Sequence, residues 1–201
     1  MKFAYADPPY IGQAKRHYQC AEVDHKELID RLVRGFPDGW ALSCSSTSLE
    51  EILTICRAVV GPNKVRIGSW CKSFGAFKRG VRPAYMWEPI VFLGGRNPCN
   101  GYPAAIPEKG GVQTTPKDFK VEPITLQKGL VGAKPQAVCF WILELLNVQG
   151  GDIVIDLYPG TGIMGWVAAI VTNNEECTHA DDNIMPGDDD VPLDPGLRGK
   201  L

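Results

Sequence analysis

The chain has 201 residues, which is the size of one domain or of two small ones. Hydrophobic residues make up 44% of the chain and charged residues 22%, a balance that is typical of a packed globular protein and excludes global disorder. The formal net charge is only −2, no apolar run is long enough for a transmembrane helix, and the amino terminus lacks the apolar stretch of a signal peptide. We therefore expect a cytoplasmic protein with no membrane partner.

The first half of the chain predicts alternating strands and helices. Their expected ranges are a strand over residues 2–6, a helix over 25–36, a strand over 39–43, a helix from 49 to about 60, and strands over 64–70 and 89–93. Residues 71–82 are expected to form a basic loop between the last two strands. A basic stretch with interleaved aromatic residues can bind a phosphate backbone, or it can be a solvated loop whose aromatic residues fill the core.

The second half begins with residues 94–128, which are rich in Gly, Pro, Lys and Asn and predict a long irregular loop. A helix over 135–146 follows, then the clearest buried strand of the chain at 152–157, and then a helix to about residue 171. Residues 172–201 are acidic and predict a flexible or docked tail. The alternation indicates an α/β fold with a mostly parallel sheet and helices on both faces.

The seven cysteines are odd in number and include no Cys-x-x-Cys pair. We expect reduced, mostly buried thiols, with neither a disulfide framework nor a metal site.

The segment Asp7-Pro8-Pro9-Tyr10 directly follows the first predicted strand, at the sheet edge where open α/β sheets bind ligands. The prolines stiffen the turn and leave the Asp7 carboxylate and a carbonyl as hydrogen-bond acceptors. Such a pair can hold both hydrogens of an amino group on an aromatic ring, while Tyr10 stacks on that ring. The alternative is a simple strand end with a core aromatic residue.

A second candidate site is the segment from Asp156 to Gly162, in which an acid at the end of a strand is followed by glycines and a helix. Such a turn lets a ligand approach backbone N–H groups at the start of the helix. It is not a phosphate-binding P-loop, because Gly162 is not followed by Lys and then Ser or Thr. A tight connection without function is the alternative.

Together, three motifs resemble the amino-methyltransferases that use S-adenosylmethionine. They are Asp7-Pro8-Pro9-Tyr10, then Gly132-Ala-Lys-Pro135, and last Asp156-Leu-Tyr-Pro-Gly-Thr-Gly162. This order is similar to that of the permuted DNA adenine-N6 and cytosine-N4 methyltransferases. It is also similar to the messenger-RNA adenosine methyltransferases, whose tetrapeptide ends in Trp. Residues 86–93 resemble a further strand of these families, and the resemblance covers roughly residues 1–171.

The resemblance implies a Rossmann-like methyltransferase domain over 1–171, S-adenosylmethionine as cofactor, and DNA, or RNA, as partner in a bacterial or phage-infected cell. The implied catalytic residues are Asp7, Pro8, Pro9 and Tyr10. The implied cofactor-binding residues are Lys134, Pro135, Asp156, Tyr158, Pro159, Gly160, Thr161 and Gly162. With such a substrate, the candidate phosphate contacts are Lys72, Lys78, Arg79 and Arg82, and Glu88 is a candidate polar contact near the target base.

The resemblance favours transfer of a methyl group to adenine N6 in DNA, since the tetrapeptide begins with Asp. The alternatives are the same chemistry on RNA or on cytosine N4, and a catalytically silent nucleic-acid-binding or partner subunit. The sequence departs from the families after residue 171, where no apolar strand carries the expected ribose-binding acid. We therefore expect a fold truncated after the first cofactor helix, with the strand at 152–157 near a sheet edge that a second copy, a partner subunit or the tail covers.

Overall fold

The computed structural model describes residues 1–15, 21–76, 81–96, 116–124 and 133–173. Its strands are β1 (Lys2–Ala6), β2 (Gly39–Ser43), β3 (Arg66–Ala76), β4 (Tyr85–Gly94), β5 (Phe119–Val121) and β6 (Ile153–Asp156). Its helices are α1 (His25–Gly35), α2 (Leu49–Val60), α3 (Gln136–Leu145) and α4 (Ile163–Thr172). None of the described helices has the length and apolar character needed to cross a membrane.

The strands form one mixed sheet in the order β5-β3-β4-β2-β1-β6. Strand β1 lies parallel to β2 and β6, and β3 lies parallel to β5. Strand β4 runs antiparallel to both of its neighbours, β2 and β3. The expected mostly parallel sheet is thus interrupted at β4, because β3 and β4 follow each other without the crossover helix that a parallel pair requires.

Helices cover both faces of the sheet, as the sequence predicts. On one face, α3 and α4 pack on a core that includes Phe3, Tyr5 and Phe92. On the other face, α1 and α2 pack on Ala4, Ala6 and other buried residues. Strand β1 is buried on both faces because its side chains alternate between these two cores.

The loop between β3 and β4 is shorter than the basic loop predicted at 71–82. Strand β3 extends to Ala76 and β4 already begins at Tyr85, with an irregular register between Cys71 and Ala76. Residues 77–80 lie outside the described residues. The expected irregular loop at 94–128 also contains a strand, β5, which pairs with the outer edge of β3. A three-residue strand is too short to show an apolar pattern, and residues 97–115 and 125–128 lie outside the described part.

Strand β6 is predicted to be the most clearly buried strand of the chain, but one of its faces is exposed. It lies at the edge of the sheet, and the side chains of Ile153 and Ile155 are 55% and 37% exposed. Val154 faces the core beneath α3 and α4, whereas the two isoleucines lie on the other face and are only partly covered. The expectation of an edge strand is confirmed within the described residues; the predicted acidic tail from residue 174 onward lies outside them.

Candidate active site

Four elements bring polar side chains to one edge of the sheet. Because β1, β2 and β6 are parallel, their carboxyl ends meet at this edge, and Asp7 and Asp156 lie there. Strand β4 runs the opposite way, and its Ile90 pairs with Ser43 at the end of β2. Glu88, two residues before Ile90, therefore extends beyond the end of β2 toward the same site.

The Asp7 carboxylate is held by a lysine that is distant in sequence. The Lys134 ammonium donates to Asp7 Oδ2 at 2.7 Å, and the Lys134 side chain is only 5% exposed. Pro8 is buried, and the Tyr10 carbonyl accepts a hydrogen bond from the backbone N–H of Gln13 at 2.8 Å. The tetrapeptide is thus a fixed turn whose carboxylate faces a buried cation.

Glu88 completes this arrangement. The Tyr10 hydroxyl donates to Glu88 Oε2 at 2.6 Å, and the Lys134 ammonium lies 3.3 Å from the Tyr10 hydroxyl and 3.5 Å from Glu88 Oε2. The Lys72 ammonium donates to the other carboxylate oxygen of Glu88 and lies over the Trp70 ring. Two ammonium groups and two carboxylates form a cluster with no net charge, which we call the Lys134 cluster (Asp7, Tyr10, Lys72, Glu88 and Lys134).

Burial and charge shift the pKa values in the Lys134 cluster. Burial raises the pKa of Asp7, and the Lys134 ammonium opposes that rise. Burial alone would lower the pKa of Lys134, but the charges of Asp7 and Glu88 raise it well above its usual value. Burial would raise the pKa of Glu88, but Lys134 and Lys72 lower it. Lys134 therefore stays protonated at neutral pH and cannot serve as a general base there.

Two buried thiols lie near the cluster, one after β2 and one in α3. Burial raises the pKa of Cys44 and of Cys139 to about 12. These thiols are protonated at neutral pH, and a protonated thiol is a poor nucleophile. The four cysteines within the described residues, Cys44, Cys56, Cys71 and Cys139, are free thiols.

The glycine turn after β6 is open to a ligand. The Asp156 carboxylate accepts a hydrogen bond from the backbone N–H of Tyr158 at 3.1 Å, and burial raises the pKa of Asp156. Gly160 and Gly162 have φ angles of +49° and +77°, which residues with a Cβ rarely adopt. A Cβ at Gly162 would meet no atom within 4 Å, and α4 begins there without a side-chain cap. The free space beside Gly162 thus lies next to the uncapped N–H groups at the start of α4.

The structure divides the predicted catalytic and cofactor-binding residues between the Lys134 cluster and the glycine turn after β6. Lys134 was predicted in the wall of the cofactor pocket, and it contacts Asp7 and Tyr10 of the predicted catalytic segment. Pro135 is buried beside it, at the start of α3. The predicted cofactor residues 156–162 form the neighbouring turn. Sequence reasoning missed the pairing of Lys134 with Asp7 and Glu88, and no local pattern indicates it.

The four basic residues predicted to contact phosphate do not share one environment. The Lys72 side chain is only 12% exposed and is paired with Glu88, so its position does not support a phosphate contact. Arg82 is exposed. Lys78 and Arg79 lie outside the described residues.

Solved structures share this architecture. A complex of M1.HpyAVI with S-adenosylmethionine has 17% identity over 85% of this chain and 77% of that chain, with a TM-score of 0.52. The cytosine-N4-specific PvuII DNA methyltransferase has 13% identity over 86% of this chain and 72% of that chain, with a TM-score of 0.54. The sequence matches no protein-family model and no curated protein. The likeness shows that the chain has the Rossmann-like fold of S-adenosylmethionine-dependent DNA methyltransferases.

The Lys134 cluster predicts a pH-dependent loss of stability in Lys134→Met. Two buried carboxylates would lose a shared cation, so the free energy of unfolding should fall by about 3–5 kcal/mol at pH 7. The pKa of Asp7, already raised by burial, would rise further, and Glu88 would lose one of the two cations that lower its pKa, so the folded variant binds more protons than the folded wild type. The stability of Lys134→Met relative to wild type should therefore fall as pH rises from about 4 to 7. Urea denaturation at several pH values measures this.

The matched control is Lys64→Met, which removes an exposed lysine. It should change stability by less than about 0.5 kcal/mol at every pH. Equal behaviour of the two variants would contradict the assigned role of Lys134.

Proposed function

We propose that the chain is an S-adenosylmethionine-dependent methyltransferase that methylates the exocyclic amine of a base in DNA, with adenine N6 as the preferred target. The observation that carries this proposal is the meeting of the Asp7 carboxylate and the open glycine turn at adjacent strand ends. Support also comes from the solved structures that share the fold, one of which is a complex with S-adenosylmethionine and another a cytosine-N4-specific DNA methyltransferase. The choice of adenine rests on the Asp that begins the tetrapeptide.

The tetrapeptide suits an aromatic amine. Asp7 and the Pro8 carbonyl would accept the two N–H groups of the amine, which favours a more nucleophilic, pyramidal nitrogen. The Tyr10 ring, whose hydroxyl is held by Glu88, would stack on the base. Pro9 stiffens the turn between these groups, so little conformational freedom is lost when the base binds. After transfer, the nitrogen carries an extra positive charge and releases its proton.

The turn at 156–162 fits the cofactor. Gly160 and Gly162 leave room for a ligand against the backbone, and the first N–H groups of α4 have no side-chain cap. Tyr158, Pro159 and Thr161 would complete the pocket, with Asp156 near the methionine end and Lys134 and Pro135 at its wall. When bound, S-adenosylmethionine supplies a methyl group activated by a sulfonium.

The substrate strand needs contacts outside the pocket. Arg82 is exposed near the end of the β3–β4 hairpin, and Lys78 and Arg79 precede it in the chain. We propose that these three residues contact phosphates, and that Lys72 acts within the Lys134 cluster instead. Extrusion of the target base costs a few kcal/mol, which stacking on Tyr10 and the amine hydrogen bonds offset. A DNA substrate in a bacterial or phage-infected cell fits a cytoplasmic location.

The edge of the sheet at β6 is open to pairing with another chain. Strand β6 ends the described sheet with exposed backbone groups and two half-exposed isoleucines, Ile153 and Ile155. An edge of this kind is a template for pairing with another chain. We propose that a second copy of the chain covers it in solution.

Asp7→Asn should lower methyl transfer at least about a hundredfold, because it removes the charged acceptor of the amine. Labelled S-adenosylmethionine would be incubated with unmethylated DNA and, in parallel, RNA, and the products digested to nucleosides and identified by mass. Label in N6-methyladenine from DNA is the expected result. Label in N4-methylcytosine, or only in RNA, would keep the chemistry and contradict the substrate.

The control for this experiment is Asp30→Asn, which makes the same change at a carboxylate on α1 that pairs with Arg34. It should transfer methyl groups at the wild-type rate. No label from the wild type on any substrate would contradict the proposed activity and favour a silent subunit.

Gly162→Val should weaken binding of S-adenosylmethionine about tenfold or more, since the side chain would fill the space that the ligand needs. Gly61→Val is the matched control, because Gly61 also has a positive φ, of +87°, and open space around it, but ends α2. Gly61→Val carries the greater backbone strain, because Gly61 has a ψ of 170°, in a region almost exclusive to glycine, whereas Gly162 has a ψ of −2°. Calorimetric titration with S-adenosylmethionine separates them, and equal affinities would show that the turn is not the cofactor site.

Ile155→Asp should convert a wild-type dimer into a monomer, because a buried charge opposes association of the β6 edges. Light scattering measures the mass, and circular dichroism checks that the fold is kept. Ile67→Asp, at a similarly exposed isoleucine on β3, should leave the dimer intact. A wild type that is monomeric at micromolar concentration would contradict the proposed dimer.

A further inference from the structure

Strands β3 and β4 extend past the rest of the sheet. Strand β2 pairs with β4 as far as Ile90, and β5 pairs with β3 as far as Cys71. Strands β3 and β4 go on pairing with each other up to Ala76, and no other described strand pairs with this part. We call residues 72–76 and 81–87 the hairpin extension. Because β3 runs in the same direction as β1, the extension projects from the edge of the sheet where the Lys134 cluster lies.

The hairpin extension exposes large apolar side chains. The side chains of Phe74, Val81, Met86 and Trp87 are each more than a third exposed. A two-stranded ribbon cannot bury such side chains by itself, because a hydrophobic core needs a further strand or a helix packed on it. Exposed apolar side chains that are gathered in one part of a structure mark a surface that binds another molecule.

The charge of this surface limits what that molecule can be. Residues 52–87 contain no Asp or Glu, and Arg82 in the hairpin extension is exposed. Lys72 is neutralised by Glu88. The extension thus carries positive charge beside apolar side chains, and a second copy of the chain would meet like charge there. Nucleic acid fits better, because it combines negative phosphates with the flat apolar faces of its bases.

The position of the extension favours the substrate of the proposed reaction over a separate partner. Its β4 strand leads directly into Glu88 and its β3 strand begins at Lys72, so both strands start from the Lys134 cluster. A strand that placed a base against Asp7 would have its neighbouring bases beside this ribbon. A two-stranded ribbon is narrow enough to enter the major groove of DNA. An anionic membrane also combines apolar groups with negative charge, but it has no base to place against Asp7.

We propose that the hairpin extension binds the substrate strand beside the target base and that Phe74 stacks on a base next to it. Extrusion of the target base removes a stacking partner from each of its neighbours, and an aromatic ring can take that place. Arg82, in the same extension, contacts a phosphate of the same strand. This inference rests on the nucleic acid substrate of the proposed function and adds to it a residue that holds the neighbouring base.

The test is the affinity of the full chain for a labelled single-stranded DNA of mixed sequence and about 20 nucleotides, measured by fluorescence anisotropy. A single strand presents bases that are free to stack on the protein. Phe74→Ala should weaken binding about tenfold, because one base loses its stacking partner. Phe74→Trp should bind within about twofold of wild type. Phe74→Leu, which is apolar but not aromatic, should lose as much affinity as Phe74→Ala.

The matched control is Phe119→Ala. Phe119 is 47% exposed, as Phe74 is, but it lies on β5, outside the hairpin extension. This variant should bind the oligonucleotide within about twofold of wild type. An equal loss of affinity in Phe119→Ala and Phe74→Ala would contradict a specific role of the extension.

The salt dependence of binding separates stacking from phosphate contact. Phe74→Ala should keep the wild-type slope of log affinity against log salt concentration, because it removes no charge. Arg82→Gln should reduce that slope by about one. A reduced slope in Phe74→Ala would contradict a stacking role, since it would mean that the substitution also removes phosphate contacts.

Methyl transfer distinguishes a failure of this inference from a failure of the proposed function. In an active enzyme, Phe74→Ala should raise the KM for DNA about tenfold and leave the affinity for S-adenosylmethionine unchanged. An active wild type whose affinity for the oligonucleotide is unchanged in Phe74→Ala would overturn this inference alone. A wild type that methylates no substrate but binds the oligonucleotide through Phe74 would overturn the proposed methyl transfer alone. Binding to vesicles of anionic phospholipid without binding to the oligonucleotide would overturn this inference in favour of a membrane surface.

Discussion

The buried ammonium of Lys134 joins three parts of the chain that are distant in sequence. It lies before α3, pairs with Asp7 after β1 and lies close to Glu88 in β4. Burial of a charge is costly unless it is paired and hydrogen-bonded, so these contacts are strongly coupled to one another. The position of Asp7, the plane of the Tyr10 ring and the pKa of Lys134 all depend on this arrangement.

The sheet determines which residues can join the cluster. Parallel strands β1 and β6 bring Asp7 and the glycine turn to one edge, as in other open α/β sheets. Strand β4 has to run antiparallel to reach that edge with its amino-terminal half, which carries Glu88. The antiparallel direction of β4 is therefore needed to form the cluster, since a parallel strand would place Glu88 at the opposite edge of the sheet.

The basic residues of the chain lie in different environments, which a count of positive charges along the sequence does not distinguish. Lys72 and Lys134 are internal cations that balance buried carboxylates, whereas Arg82 is exposed to solvent. Counted along the sequence, Lys72 and Arg82 belong to the same positive stretch. Only the neighbours of each side chain decide whether its charge is available to a polyanion or is already neutralised.

The sequence by itself determined most of the local elements and the two candidate turns, but not β5 or the full length of β3 and β4. Strands β1 and β2 have the predicted ranges, and Asp24 caps α1 with hydrogen bonds to the N–H groups of Lys26 and Glu27. These features depend on apolar periodicity, proline and capping, which act over a few residues. The resemblance of the motifs also identified the fold, while the permuted motif order and the truncation after α4 stay predictions.

The tertiary structure decided what depends on neighbours distant in the chain. An apolar run such as 153–155 has the same local pattern in a central strand and at an edge, so the exposure of Ile153 and Ile155 follows only from the strand order. The same is true of Lys134, whose partners lie 127 residues away at Asp7 and, in β4, at Glu88. Burial and ion pairing are properties of the packed chain, and local sequence carries little information about them.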